Sequence, residues 1–592
     1  MITHSTTSKQ LSLFPVAATT TTKPASGAPE SAAPGDSFIS TTKQEEKTPS
    51  LRETFDNIHN SGGEGKARLL DDNAEAWNAR WKVLESAHET INTQYFCWDH
   101  DIFGKAMLGH IFKKASQENV KTRIMVDATG DTWGTRGFKA HIGGRDYLQE
   151  VTALPNAEAK VYHPHYKKLI DGALHPGKNY SAASNHDKIL EVDGLKAITG
   201  GRNIGYEYYV NPTDFKGAWR DTDVYLEGAA NAHALREAFE VEYGAPWINE
   251  KVRPDMLGNW VKRDLELLGA YTIMDSWLKG DPLSSEQKEA IRSQPDVARK
   301  MADEVYAKAL ADLPAAGATR EPGRREKKEL RKLADEMVKF PELRGTYHAE
   351  ESKLHQADIK ILDRTSVVST AQDQMGEQLV NLVRSAKKKI LIENPYIVLT
   401  KNLLKELQDA GKRGVEIHLG TNSPSSTDSD VTQAFFLEDW PKIVATTPNM
   451  KLFVATGERK LHAKVAVVDD QVSLVSTYNL DLLSTEVNSE VGALMWSKEF
   501  AEDTFQGFEN DFNDPRNAVR QYTILRDDNG QPIRSDGKPV LDENGELIND
   551  PEVTFGPKDH LSQEMLDKYS KKTSRWNFLR KFLPNLSSLD TF

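Results

Sequence analysis

His186-Asp187-Lys188-Ile189-Leu190-Glu191-Val192-Asp193 and His462-Ala463-Lys464-Val465-Ala466-Val467-Val468-Asp469 are two copies of one pattern, H-x-K-x4-D. Gly200-Gly201 and then Asn203 follow the first; Ser476-Thr477 and then Asn479 follow the second, so Asn lies seventeen positions after His in both. One such string is a weak signal by itself. Two with the same downstream spacing mark a duplicated half-site and predict that the two halves meet.

The residue types suggest the chemistry. Lys supplies a point charge and Asn a directed amide N–H, both suited to phosphate oxygens. Brought together, the half-sites would surround one phosphate with paired His, Lys and Asn side chains. One imidazole could attack phosphorus while the other protonates the leaving oxygen. Lys188, Lys464, Asn203 and Asn479 would stabilise the equatorial oxygens. The pattern holds no acidic cluster with metal-ligand spacing, so the expectation is that no metal or other cofactor is needed.

The repeat extends beyond the motif. Ser86-Ala87-His88-Glu89-Thr90-Ile91 leads into Tyr95-Phe96, as Ser385-Ala386-Lys387-Lys388-Lys389-Ile390 leads into Pro395-Tyr396. Each reads as a helix end followed by a strand. Each is followed by an amphipathic helix (108–115; 403–410) and a second apolar strand (123–126; 415–419). Residues 189–192 and 465–468 add further strands. The alternation predicts an α/β class, with central sheets covered by helices on both faces.

With these residues in view, the chain resembles the phospholipase D superfamily, with its two HKD motifs, and more narrowly bacterial cardiolipin synthase-type members. The resemblance rests on both motifs and on Gly200-Gly201-Arg202-Asn203-Ile204-Gly205, Glu207-Tyr208-Tyr209, Trp219-Arg220-Asp221-Thr222-Asp223, Tyr478-Asn479-Leu480-Asp481 and Asn488-Ser489-Glu490-Val491-Gly492. It implies two similar α/β/α sandwich halves with the active site at their pseudo-twofold interface. It implies transfer of a phosphatidyl group through a phosphohistidine on His186, with His462 as acid–base partner. Asp221 and Glu490 would stand behind the two rings, fixing tautomer and stabilising the cation. Asp193 and Asp469 would be scaffold. Gly200, Gly201, Ser476 and Thr477 would allow close backbone approach or help bind phosphate. The implied substrate is a phospholipid, phosphatidylglycerol or similar, and the acceptor a lipid alcohol or water. The chain departs from many relatives at Ser184, where Arg is common, and at Ser476-Thr477, where Gly-Ser is commoner. Asp428 and Asp430 are candidates for a headgroup pocket or for loop caps. His163, His165 and His175 fall outside the duplicated spacing and read as structural or surface histidines.

Composition sets the remaining bounds. With 592 residues the chain can bury a large core in more than one domain. A formal net charge of −13 disfavours broad nucleic-acid binding. A superfamily nuclease is the alternative reading, with a secreted phospholipase D toxin beside it. The single cysteine, Cys97, excludes an intramolecular disulfide and fits a reducing compartment. No apolar run approaches the ~18 residues of a membrane span, and no signal peptide is evident. The expectation is a cytoplasmic protein that reaches lipid peripherally, with secretion as an alternative.

The expected domains are a disordered Thr/Ser/Pro-rich tail (1–50), a first half (51–249), a charged helical insertion (250–345), a second half (346–524) and a C-terminal region (525–592). In the insertion, 298–311 and 327–339 read as helices with largely solvated faces; a lid or partner surface is the alternative. Asp528-Asn529-Gly530, Asp536-Gly537 and Glu543-Asn544-Gly545 read as hairpin turns rather than calcium loops. The basic, aromatic stretch 568–586, with Trp576, Phe578 and Phe582, reads either as an interfacial membrane segment or as a terminal helix packed on the second half.

Overall fold

Strand β1 (Gly62–Leu70) pairs on one side with the last long strand of its own half and on the other with the first strand of the second half. The computed structural model that shows this describes residues 49–58, 61–133, 147–254 and 262–580; of 131–133 and 575–580 it describes the backbone. Most of the tail expected at 1–50 lies outside the described residues, which begin just before Ser50 caps the helix Leu51–Asp56.

The first half continues with β2 (Thr90–Tyr95), β3 (Lys121–Asp127), β4 (Ala157–Tyr162), β5 (Ile189–Val192), β6 (Lys196–Gly200), β7 (Asp223–Glu227) and β8 (Glu250–Lys251). The second contains β9 (His355–Arg364), β10 (Lys389–Glu393), β11 (Glu416–Asn422), β12 (Met450–Ala455), β13 (Val465–Val468), β14 (Val472–Ser476), β15 (Glu490–Trp496) and β16 (Val519–Ile524). The first half runs β8-β4-β3-β2-β5-β6-β7-β1 and the second β16-β12-β11-β10-β13-β14-β15-β9. The two orders are the same. In each half three neighbouring strands are parallel, joined by helical crossovers, and the remaining pairings are antiparallel. Antiparallel pairing of β1 with β9 joins the halves into one open sheet.

Both faces of the sheet are covered, so β13 reads as an unbroken apolar run; in β5 the run is broken by Glu191, whose buried carboxylate pairs with Arg236 at 2.8 Å. All four residues of β5 and of β13 are buried. One apolar cluster unites the halves: Ile189, Leu226 and Phe239 from the first with Ile361, Val467, Met495 and Phe508 from the second.

The helix read as amphipathic at 108–115 spans Ile102–Gln117 and is buried almost all round, Lys105, His110 and Lys114 included. Its outer side is covered by the helix Asp264–Leu278. The inserted helices therefore share the first half's core through Leu267, Trp277, Ala309, Leu330 and Met337. The insertion is solvated unevenly: Asp264–Leu278 is buried almost all round, Glu266 included, while Pro295–Asp312 buries only Ala302, Val305 and Ala309. Pro295–Asp312 and Arg324–Met337 contain the two segments read as helical.

The three Gly-containing turns close tight hairpins, with Gly530, Gly537 and Gly545 at φ +78°, +80° and +85°. The terminal helix Gln563–Arg580 packs on the helix Asp430–Thr446: the Tyr569 hydroxyl donates to Asp430 at 2.5 Å and Lys572 pairs with the same carboxylate. Asp430 thus anchors the terminal helix. The side chains of Trp576, Phe578 and Phe582 lie outside the described residues. Among the described residues no helix is long and apolar enough to cross a membrane.

Candidate active site

Each motif histidine sits just before a buried strand, on a segment that crosses to the other half. The His186 N–H donates to the Ser489 carbonyl at 3.2 Å, and the Ser489 N–H donates to Ser184 at 3.1 Å. In the other copy the His462 N–H donates to Arg220 at 2.7 Å, and the Arg220 N–H donates to Lys460 at 2.8 Å. These short bridges place Glu490 behind His186 and Asp221 behind His462. His186 Nδ1 is 2.9 Å from both oxygens of Glu490, and His462 Nδ1 is 2.6 Å from Asp221 Oδ2. Each ring is thus held by a carboxylate of the opposite half. With Nδ1 engaged, Nε2 is the atom left for chemistry.

The two pairs differ electrostatically. Burial pushes Asp221 up, but the charges of Lys464 and His462 outweigh it and hold Asp221 below the ordinary carboxylate range. Burial raises Glu490 to about 7 against the pull of Lys188 and hydrogen bonds from Ser484 and Thr477. Burial, then Lys188 and Lys464, holds His186 well below the ordinary imidazole range. His462 is lowered by burial and Lys464, with Asp221 opposing. The stronger ion-pairing partner therefore belongs to His462.

Lys188 Nζ donates to the His186 carbonyl at 2.7 Å, and Lys464 Nζ to the His462 carbonyl. Lys464 Nζ also lies 2.9 Å from His462 Nδ1. That nitrogen cannot accept from Lys464 while it donates to Asp221, and the ionised carboxylate is the partner that requires a proton. Burial lowers both lysines, Lys464 to about 8.

Asn203 accepts the Cys97 N–H at 3.0 Å and donates to the Tyr208 hydroxyl at 3.0 Å, which fixes its amide. Asn479 is buried with its Oδ1 unpartnered. Aromatic rings wall the site: Phe96 lies 5.0 Å from His186, and Trp219 lies 4.9 Å from His462.

The small residues have distinct tasks. A Cβ on Gly201 would lie 1.9 Å from Asp221 Oδ1, so this glycine lets the carboxylate reach His462. Its N–H is engaged by the Thr222 carbonyl, which leaves it no donor for phosphate. At the matching place Thr477 donates its hydroxyl to Glu490 and accepts the Val491 N–H at 3.0 Å. Ser476, expected among the phosphate ligands, donates to the Lys464 carbonyl at 3.3 Å and accepts the Tyr478 N–H; it braces backbone. Ser484, which donates to Glu490, carried no sequence signal because it lies outside the repeated spacing.

Asp193 and Asp469 close their motifs in left-handed conformation, φ +55° and +53°. Asp193 accepts the N–H groups of His88, Glu89 and Thr90; Asp469 accepts those of Lys387, Lys388 and Lys389. Each pins the start of the neighbouring strand, β2 or β10, at the end of the motif strand away from the ring. Asp428 accepts the Tyr396 hydroxyl at 2.9 Å and acts electrostatically on His462 and Lys464. His163 is a satisfied core histidine, between the Ala183 carbonyl and Asp171 at 3.0 Å each.

Among the described residues Asp99, Asp101 and Glu207 bring ligand atoms within 4.8 Å of one another. Asp101 already accepts the Gly104 and Tyr206 N–H groups as a helix cap.

The family profile described as "Cardiolipin synthase, PLD-like domain" matches residues 379–512. The chain is 23% identical to cardiolipin synthase 1 of Bacillus anthracis over 450 residues, which is 75% of this chain and 66%, just under two thirds, of that protein. It is 22% identical to cardiolipin synthase C of Escherichia coli (strain K12) over 452 residues, 73% of this chain and 82% of that one. Among solved structures, phosphatidylserine synthase of Haemophilus influenzae Rd KW20 aligns over 80% of this chain and 91% of its own, with TM-score 0.49 and 13% identity. With both motifs present and joined in one site, the chain is cardiolipin synthase-like, of the phospholipase D superfamily.

Proposed function

We propose that the protein transfers a phosphatidyl group between alcohols through a phosphohistidine on His186. The observation that carries this reading is the reciprocal pairing of His186 with Glu490 and His462 with Asp221 across the two halves. His186, neutral and oriented by Glu490, attacks phosphorus of a phospholipid diester through Nε2. The bond to the headgroup oxygen breaks, and His462 Nε2 delivers the proton that oxygen needs. Ionised Asp221 stabilises the imidazolium before that transfer. In the second step His462 takes the proton of the acceptor hydroxyl, the new P–O bond forms, and His186 leaves.

Lys188, Lys464, Asn203 and Asn479 bind the non-bridging oxygens. As charge grows on them, lysines held in a water-poor site act more strongly than they would in solvent. The curated relatives' names support a phospholipid substrate, with phosphatidylglycerol as first choice for both donor and acceptor.

Mass spectrometry of products from phosphatidylglycerol, with and without added glycerol, tests the reading. Cardiolipin identifies transfer to a lipid alcohol, and phosphatidic acid identifies transfer to water. Cleavage of DNA with no lipid turnover would overturn both.

A further inference from the structure

The helix His165–Leu174 is turned inside out. Tyr166, Leu169, Ile170 and Leu174 share one stripe and are 52%, 76%, 52% and 68% exposed. Lys167, Lys168 and Asp171 face the protein. Lys167 Nζ donates to the Asn249 carbonyl at 2.7 Å, Lys168 Nζ to the Ala183 carbonyl at 2.5 Å and the Ser184 hydroxyl at 3.0 Å, and Asp171 holds His163 at 3.0 Å. A helix normally buries its apolar stripe, so these anchors fix an orientation that water alone would not favour.

The surroundings extend the patch. Trp247, two residues before Asn249, is 89% exposed. The Tyr166 hydroxyl reaches Glu250 in the same segment. On the far side Tyr180 packs on His175 with ring centroids 4.7 Å apart, and Lys178 lies over Tyr180. His165, His175 and Lys178 are exposed beside it. Exposed leucines flanked by Tyr, Trp and basic groups match the chemistry of a bilayer interface.

The patch is also continuous with the candidate site. Lys168 holds Ser184, two residues before His186, and the Ser184 N–H donates to Asn488 beside Glu490. The geometry points to the helix His165–Leu174, with Trp247, as the surface that docks on an anionic phospholipid bilayer and sets the site against its substrate. The assignment rests on the proposed lipid substrate for its orientation, while the docking itself is tested separately.

The full chain is sedimented with vesicles of phosphatidylglycerol and phosphatidylcholine, beside the quadruple variant Leu169→Ser, Ile170→Ser, Leu174→Ser, Trp247→Ser. The variant should need at least tenfold more lipid for half-maximal binding, with an unchanged melting temperature. Its turnover of a monomeric short-chain phosphatidylglycerol should hold while turnover of vesicles falls. Hydrogen exchange over 165–174 in the wild-type chain should slow when vesicles are added, a readout that does not depend on the variant folding. Unchanged vesicle binding by a folded variant, or sedimentation of the wild type without slowed exchange there, overturns the proposal. Slowing that follows protein concentration without lipid, together with a dimer mass, assigns the face to a second copy and overturns it too. Loss of binding in the variant, with no turnover of either substrate by the wild type, leaves the docking surface standing and removes the lipid-transfer reading.

Discussion

His462 Nδ1 lies 2.6 Å from Asp221 Oδ2, although the two residues belong to different halves of the chain. His186 makes the mirrored contact with Glu490 at 2.9 Å. Neither ring is oriented by its own half, so each half alone holds a histidine with nothing behind it.

This cross-pairing predicts unequal roles for the carboxylates. Asp221→Asn removes the ionised partner of His462 and should lower kcat by roughly 10²–10⁴-fold, the range seen when a histidine loses its orienting aspartate. Glu490→Gln should cost roughly tenfold, since Glu490 titrates at about 7 and carries less charge. Stopped-flow rates on phosphatidylglycerol measure both.

A substrate with a nitrophenol headgroup separates the two histidines. Nitrophenolate leaves without a proton, so His462→Asn should still release one burst equivalent of it and then stall. His186→Asn should release none. A burst from His186→Asn would place the nucleophile at His462.

Gly201→Ala should reproduce the Asp221→Asn defect without touching a charged group. The new Cβ would meet Asp221 Oδ1 at 1.9 Å and push the carboxylate off His462. Circular dichroism should stay native while kcat falls by roughly 10²-fold or more. Full activity would show that Asp221 is not needed in that position.

Rising pH should lower stability and activity in two separate windows. Lys464, lowered to about 8 by burial, loses its charge above that pH, so kcat/KM should fall there. Lys464→Arg should move that limb upward at a reduced maximum. For stability, Glu242 is raised to about 7 by burial, so the folded chain holds a proton that the unfolded chain releases from about 4.5 upward. Its contribution is fully present below about 4.5 and is lost as pH rises to about 7. Melting temperatures should therefore decline over that window, and Glu242→Gln should flatten the decline.

Asp193→Ala and Asp469→Ala should each cost about 2–4 kcal/mol, because three backbone N–H groups lose their acceptor and a left-handed residue loses its tolerant side chain. Urea denaturation gives the value. The folded fraction should keep most of its kcat, since neither carboxylate approaches a ring.

Much of this was legible in the sequence. The two H-x-K-x4-D strings state the duplication, and their interiors coincide with strands Ile189–Val192 and Val465–Val468. Local pattern suffices for the second because a strand buried on both faces is apolar at consecutive positions; in the first, Glu191 is buried only because Arg236 pairs with it. Position in the repeat also marked Asn203 and Asn479. Which carboxylate serves which histidine is a different kind of fact. Asp221 and Glu490 could be carried over by resemblance, but their crossing between halves exists only once Arg220 bridges Leu461 and Asn185 bridges Ser489. Likewise Ser476 looks like a phosphate ligand until its hydroxyl is seen on the Lys464 carbonyl, and the partner of Asp430 is unreadable until Tyr569 reaches it. The segment 108–115 reads as an amphipathic helix until the inserted helix Asp264–Leu278 covers its outer side. Sequence determines periodicity and spacing along the chain. Tertiary structure decides the partners of side chains hundreds of residues apart, because a buried polar group must be satisfied by whatever the folded chain brings beside it.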